Sequence, residues 1–438
     1  MTIDYLAGPG GRLCGTIRVP GDKSISHRSI ILGAIANGET RISGFLEGED
    51  ALATMRIFRD LGVRIDGPER GDVLVHGVGR QGLKAPAAAL DCGNSGTSMR
   101  LIAGLLAGQA FDSELIGDES LSRRPMQRVA DPLARMGARI ETTEGHPPLR
   151  IHGNPRLRSI EYAMPVASAQ VKSALMLAAI YAEGETRISE PAPTRDHTER
   201  MLAAFGGLVR REGRTVIVAG ATLAGTRIEV PADLSSAAFF MVGASIAPGS
   251  DVLLKDVGVN PTRSGAIEIL RLMGADIELV NPRQFGGEPV ADVRVRHAPL
   301  HGIVIPQDLV ALAIDEFPAI FVAAANAAGE TVLGGAEELR FKESDRIQVM
   351  AEGLAALGVL AVPSPDGMRI RGSGDRLYGG GRIHSRGDHR VAMAFAIASL
   401  RAGARISILD CANVSTSFPG FIGLASAAGL EIGLARSD

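Results

Sequence analysis

Gly38-Glu39-Thr40-Arg41-Ile42-Ser43 and Gly184-Glu185-Thr186-Arg187-Ile188-Ser189 are the same six residues in the same order. G-E-T-V-L at Gly329, G-S-D-V-L-L at Gly249, G-A-R-I-S-I at Gly403 and, more weakly, F-D-S-E-L-I at Phe111 echo them. Each reads as a turn that feeds a strand alternating with period two. A second series is interleaved with the first: L-G-V-R-I at Leu61, M-G-A-R-I at Met136, F-G-G-L-V at Phe205, M-G-A-D-I at Met273, L-G-V-L-A at Leu357 and A-G-L-E-I at Ala428. Here an amphipathic stretch runs into a glycine placed to end a helix in the left-handed conformation, and a strand follows. Both series return about every 70 residues, too long for a solenoid repeat and suited to a module of several strands and helices.

A third feature completes the module. Polar turns stand ahead of long small-residue apolar stretches: Asp22-Lys23-Ser24, Asn94-Ser95-Gly96-Thr97, Ser168-Ala169-Gln170, Asp233-Leu234-Ser235-Ser236, Asp315-Glu316-Phe317-Pro318 and Asp388-His389-Arg390. The Ala-rich stretches, such as 171–182 and 391–400, read as buried helices, with Asp, Ser or Asn as caps. T-I-R-V-P-G-D-K-S from Thr16 and R-I-E-V-P-A-D-L-S from Arg227 resemble each other and mark seams between two sets of three modules. The expected domains are therefore 21–230 and 231–438, with the N-terminal strand in 1–20 belonging to the second. If all copies pack in one sense, the helix N-termini of a domain point together. Each presents unpaired N–H groups and roughly half a positive charge, so the architecture suits a strongly anionic ligand in an interdomain cleft.

Composition agrees with such a protein and narrows its class. The chain has 438 residues, 45% hydrophobic and 22% charged, which accommodates two globular domains of about 200 residues. A net charge of −3, 4% aromatics and no Trp give no footing for nucleic acid or a membrane surface. Cys14, Cys92 and Cys411 are far apart, form no C-x-x-C pair and point to a reducing compartment rather than a disulfide or zinc framework. The first 20 residues lack the basic-then-apolar pattern of a signal peptide, and Asp308, Asp315 and Glu316 interrupt the apolar segment 303–328. A cytoplasmic monomer is expected.

Cations gather at the repeated turns: Lys23, Arg28, Arg100, Arg123, Arg124, Lys172, Arg195, Lys342, Arg346 and Arg390. Any one alone reads as surface, but their recurrence at equivalent places reads as a site. Arg suits bidentate carboxylate or phosphate recognition, and Lys acts as a point charge. Gly93 to Gly96 form neither a Walker loop nor a dinucleotide fingerprint. Glu343 lies between Lys342 and Arg346; a carboxylate so placed pairs with its neighbours, or donates a proton once substrate anions oppose that pairing. No H-E-x-x-H or other histidine cluster suggests a metal, and His27, His197 and His389 read as hydrogen-bonding support.

Taken in order, G-D-K-S-I-S-H-R (21–28), G-N-S-G-T (93–97), R-R-P-M (123–126), S-A-Q-V-K-S (168–173), T-R-D-H-T-E (194–199), the Asp315 segment, K-E-S-D-R (342–346), D-H-R-V-A-M (388–393) and T-S-F-P (416–419) resemble the enolpyruvyl transferase family over nearly the whole chain. Within it they are similar to the shikimate-phosphate branch, in the subset called class II. The resemblance implies an α/β fold of two domains, each an inside-out α/β barrel of three βαβαββ units. It implies transfer of the enolpyruvyl group of phosphoenolpyruvate to the 5-hydroxyl of shikimate 3-phosphate, with no metal and no organic cofactor. Lys23, Ser24 and Arg28 resemble residues that hold the substrates, with Lys23 near both. Ser168, Ala169, Gln170, Arg195, Asp315 and Lys342 resemble the shikimate 3-phosphate site. Gly96, Arg124, Gln170, Lys342, Arg346 and Arg390 resemble the phosphoenolpyruvate site. Glu343 resembles the acid, and Asp315 or Lys23 the base. Thr416 stands where many relatives carry Lys, which removes one expected phosphoenolpyruvate contact. Gly96, often Ala in the subset, leaves room for glyphosate and implies sensitivity to it. The UDP-N-acetylglucosamine branch is the alternative, but its reactive Cys has no counterpart in 117–125. A non-catalytic anion-binding module and an RNA 3'-phosphate cyclase of related fold are weaker alternatives, given the retained site residues and the lack of basic excess.

Overall fold

The computed structural model describes residues 3–374 and 378–435. The outermost residues of the expected domain bounds, 1–2 and 436–438, lie outside the described residues. The chain divides into a first lobe, Gly21–Val230 with Gln284–Glu288, and a second, Met1–Pro20 with Pro231–Arg283 and Pro289–Asp438.

In the first lobe three helices lie inside their sheets: α1 (Lys23–Ile35), α2 (Gly96–Leu106) and α3 (Ala169–Ala179). Nearly every residue of each is buried. A helix covered on all sides gains nothing from a one-sided apolar stripe, so small and apolar residues run all round it. Gly104 shows why they must be small: a Cβ there would lie 2.1 Å from the Ala174 carbonyl oxygen of α3. The helices α4 (Leu234–Ile246), α5 (Phe317–Asn326) and α6 (His389–Ala398) form the same arrangement in the second lobe.

Among the described residues, six separate sheets surround these helices. The strands Leu90–Asp91, Ser113–Ile116, His146–His152 and Arg139–Thr143 lie side by side, the first pair parallel and the others antiparallel. With α2 and the helix Gln127–Arg135 they make one continuous βαβαββ unit. Glu161–Ala163, Glu185–Ser189, Thr215–Ala219 and Leu208–Glu212 repeat it around α3. In the unit around α1 the opening strand is Arg227–Glu229, taken from the far end of the lobe and parallel to Asn37–Ser43. The lobe thus closes on itself.

The second lobe departs from the expected single N-terminal strand. Two strands form there, and they enter different sheets. Cys14–Ile17 opens the α4 unit beside Asp251–Gly258, while Tyr5–Ala7 fills the slot between Ile406–Leu409 and Ile432–Leu434 in the α6 unit. Around α5 the opening strand is reduced to bridges, His301 to Ala328 and Val304 to Val332, beside a three-stranded sheet.

The six junction glycines, Gly62, Gly137, Gly206, Gly274, Gly358 and Gly429, all have positive φ, between 80° and 111°. This is the left-handed stop their position predicts, and it lets the chain turn at once into the following strand. Side-chain caps form at Asp22, Ser95, Ser168, Asp233 and Asp388. The fifth expected cap does not form. α5 starts with proline in its first turn, and the Asp315 carboxylate faces cations instead.

Candidate active site

In the first lobe, hydrogen bonds tie the starts of the inner helices together. His27 Nδ1 on α1 lies 3.5 Å from Ser98 Oγ on α2, and Arg28 Nη2 donates to Ser173 Oγ on α3 at 2.8 Å. Gln170 on α3 donates to Thr97 Oγ1 on α2 at 3.0 Å and accepts from Arg100 Nη1 at 2.6 Å. The three N-terminal turns therefore lie together at one end of the lobe, where their dipoles reinforce one another.

The basic groups stand among these turns. Lys23 Nζ is 3.0 Å from the Asp50 carboxylate. Arg28 is buried, and its donors reach three neutral oxygens: Thr198 Oγ1 at 2.7 Å, the Ser24 carbonyl at 2.9 Å and Ser173 Oγ. Burial, with a push from Arg195 against the attraction of nearby acids, pulls its pKa down to about 10. A desolvated cation held by neutral acceptors is a good receptor for an anion. Around Gly96, a Cβ would lie 3.0 Å from Arg100 Nη1 and 3.1 Å from Arg124 Nη1. Arg124 is braced by Asn94 Oδ1 at 2.8 Å, which turns its guanidinium toward the bare start of α2.

His27 is buried against Thr54 Oγ1, 2.8 Å from Nδ1. Burial, followed by the charges of Lys23 and Arg28, lowers its pKa well below the ordinary value and keeps the ring neutral.

The second lobe gathers carboxylates around one guanidinium. Arg346, 1% exposed, donates from Nε to Asp388 Oδ2 at 2.9 Å and from Nη2 to Glu343 Oε2 at 2.6 Å, while Nη1 lies 3.4 Å from Asp315 Oδ1. Lys342 Nζ approaches the same Asp315 oxygen at 3.3 Å. Burial opposes the Arg346 charge, but Asp388 first, then Glu343 and Asp315, raise its pKa above the ordinary value. Asp388 is buried too; the adjacent Arg346 outweighs that burial and lowers its pKa. Arg390 Nη1 donates to the Asp315 carbonyl at 3.0 Å. Below it, Glu316 accepts from Ser235, and Arg263 Nη2 donates to Ser235 Oγ at 2.6 Å and to Asp233 Oδ1 at 3.3 Å. This network seats the starts of α4, α5 and α6 on one another.

The structure thus brings Lys23, Ser24, Arg28, Gly96, Arg124, Ser168, Ala169 and Gln170 to the helix starts of the first lobe. It brings Asp315, Lys342, Glu343, Arg346 and Arg390 together in the second. Arg195, near Arg28, sits half-buried just before the helix His197–Ala204. Two cations read from sequence as site members stand elsewhere. Arg123 is exposed and pairs with Glu119 on the surface. Lys172 is fully buried between Glu190, at 2.9 Å, and Glu199, at 2.7 Å. One residue further along α3, Ser173 holds the position that touches Arg28, so the helix turn carries Lys172 inward. Asp50, Thr198 and Arg263 escaped the sequence reading. Thr198 lies inside the T-R-D-H-T-E motif and could have been found; Arg263 belongs to no repeated feature. Among the described residues no group of His, Cys, Asp and Glu could hold a metal ion, and no helix is long and apolar enough to cross a membrane.

Helices enclosed in threes by their sheets, with Arg and Lys at their gathered starts and an Asp–Glu pair on one guanidinium, are what the resemblance to the enolpyruvyl transferases implies. Residues 8–424 match the family EPSP synthase (3-phosphoshikimate 1-carboxyvinyltransferase). The 3-phosphoshikimate 1-carboxyvinyltransferase of Methylococcus capsulatus is 66% identical over 432 residues, covering 98% of each chain. That of Legionella pneumophila is 56% identical over 425 residues, 97% of this chain and 98% of its own. A solved structure of EPSP synthase from Acinetobacter baumannii matches with a TM-score of 0.89 at 55% identity, over 99% of this chain and 100% of that one. The chain belongs to the EPSP synthase family, which decides between the two branches weighed from sequence.

Proposed function

We propose that this protein transfers the enolpyruvyl group of phosphoenolpyruvate to the 5-hydroxyl of shikimate 3-phosphate, releasing phosphate, as a cytoplasmic monomeric enzyme of aromatic amino acid biosynthesis. The observation that carries the mechanism is the placement of Asp315 and Glu343 on one buried guanidinium, that of Arg346. Two carboxylates 3.4 Å and 2.6 Å from the same cation are oriented by one side chain, which suits a paired acid and base.

Glu343, protonated once the substrate anions oppose its pairing with Arg346, gives its proton to C3 of phosphoenolpyruvate, and C2 becomes electron-poor. The 5-hydroxyl oxygen bonds to C2 while its proton passes to Asp315, with Lys23 as the alternative acceptor. The adduct then returns a proton from its new methyl group to Glu343, the bond from C2 to the phosphate oxygen breaks, and phosphate leaves. Arg124, Lys342, Arg346, Arg390 and the start of α2 at Gly96 hold the carboxylate and phosphate of phosphoenolpyruvate, with Gln170 and Lys23 beside them. Ser24, Arg28, Ser168, Ala169, Gln170, Arg195, Lys342 and Asp315 hold shikimate 3-phosphate. Catalysis comes from orientation and fixed charge, which together supply large rate factors without a metal or cofactor. Thr416, whose hydroxyl donates to the Asn413 carbonyl at 2.7 Å, contributes no charge where many relatives have Lys.

The test is phosphate release with both substrates and with each omitted in turn. Release only with both supports the reading; release with phosphoenolpyruvate and UDP-N-acetylglucosamine, but not with shikimate 3-phosphate, would overturn it.

A further inference from the structure

Lys172 enters no step above, yet it is one of the most deeply buried charges of the chain. Its ammonium is wholly enclosed, and its carboxylate partners are 0% and 11% exposed. A buried charge set of this kind costs desolvation, so it needs close pairing on every member. The pairing is closest at Glu190, whereas Glu199 is held by proximity of charge, neither of its oxygens making a hydrogen bond. Glu190 takes Lys172 on one oxygen and Arg211 Nη2, at 2.9 Å, on the other. Glu199 takes Lys172, with Arg211 Nη1 at 3.8 Å.

What this set grips is a loop. Glu190 ends the stretch beyond the strand Glu185–Ser189, and its Oε1 accepts from both the backbone N–H of Thr194, at 3.2 Å, and the Thr194 hydroxyl. Lys172 Nζ donates to the Thr194 carbonyl at 3.4 Å. Thr194 is therefore fastened by its N–H, its hydroxyl and its carbonyl, and the residue it delivers next is Arg195. On the other side of Arg195, Glu199 fastens the helix His197–Ala204 to the same ammonium. That helix also carries Thr198, which accepts from Arg28 Nε, and Ser173, next to Lys172 on α3, bonds both Thr198 and Arg28.

We propose that Lys172, with Glu190 and Thr194, is a positioning device for shikimate 3-phosphate: it fixes Arg195 in the loop and braces the Thr198–Ser173 cradle of Arg28 without touching substrate. This rests on the reading that Arg195 and Arg28 bind shikimate 3-phosphate. Thr194, held at all three of its polar groups, fixes where the backbone of Arg195 begins. A small displacement there moves a guanidinium at the end of a long side chain by more than a hydrogen bond tolerates, and such misplacement costs up to roughly a hundredfold in rate or affinity.

The test measures KM for each substrate, with the other saturating, in Lys172→Met, Thr194→Val, Thr194→Ser and Arg195→Ala, each checked for folding by circular dichroism and thermal melting. Lys172→Met and Thr194→Val are expected to raise KM for shikimate 3-phosphate by roughly tenfold or more, with KM for phosphoenolpyruvate within about twofold. Thr194→Ser, which keeps the hydroxyl, stays near wild type. A merely structural role would lower the melting temperature without separating the two KM values. Should Lys172→Met not fold, Thr194→Val against Thr194→Ser decides. Folded Lys172→Met and Thr194→Val with unchanged KM, alongside an Arg195→Ala that raises it, would overturn the proposal alone. An Arg195→Ala with unchanged KM would overturn the assignment of Arg195 and the proposal with it.

Discussion

Gly96 carries the sharpest consequence of any single residue. A methyl group there meets two guanidinium nitrogens at 3.0 and 3.1 Å, closer than such contacts normally settle, so Arg124 or Arg100 must shift. Millimolar glyphosate is expected to inhibit the wild-type enzyme in competition with phosphoenolpyruvate. Gly96→Ala is expected to weaken that inhibition at least tenfold, the scale of one misplaced methyl in a fitted site; steady-state inhibition of both proteins checks it. His27 gives a pH prediction. Its folded pKa is depressed, so its neutral form favours the native state above the ordinary histidine value, and that contribution is lost as pH falls toward the folded pKa. Below about pH 6.5 this residue alone should steepen the loss of unfolding free energy by up to ~1.4 kcal/mol per pH unit. Denaturant unfolding at pH 7, 6 and 5 should show the extra slope in wild type and its absence in His27→Asn. At this scale the sequence was legible where a charge stands in the polar turn that starts an inner helix, as for Lys23 and Arg390. It misled at Lys172, because a helix turn advances about 100° per residue and the position two beyond a site glutamine can face the interior.

Among the elements, the helix stops were the most readable feature, and they can be tested free of packing. At Gly358, with φ of 83°, an added Cβ would meet nothing within 4 Å. Gly358→Ala should therefore destabilise the protein by about 1 kcal/mol through backbone conformation alone, and Gly358→Asn by less, since Asn tolerates that region. Chemical denaturation of the two variants measures it; equal stabilities in all three proteins would show that the stop is not under conformational control. The caps were equally readable, except at α5, where Pro318 pre-sets the first turn and Asp315 is freed for other work. Strand partnership was not readable. Arg227–Glu229, Cys14–Ile17 and Tyr5–Ala7 are short and carry no local mark of the sheet they join, because a parallel or inserted edge strand is selected by the groove left open in a distant unit.

For the molecule as a whole, the repeat count foretold helices in two groups of three, and the gathering of their starts follows from one packing sense repeated. The consequence is electrostatic. Each lobe gathers helix dipoles and basic side chains at the starts of its own inner helices, and on the proposed reading ionic strength should weaken the capture of multiply charged substrates accordingly. KM for both substrates is expected to rise between 50 and 500 mM salt with kcat less affected. The central claim is that Glu343 protonates phosphoenolpyruvate before phosphate departs, so that C3 passes through a methyl group. The reaction run in deuterium oxide tests it most directly. Deuterium in the methylene of the enolpyruvyl product, greatly slowed in Glu343→Gln, is the predicted result; a product formed at full rate with no deuterium at that carbon would contradict it.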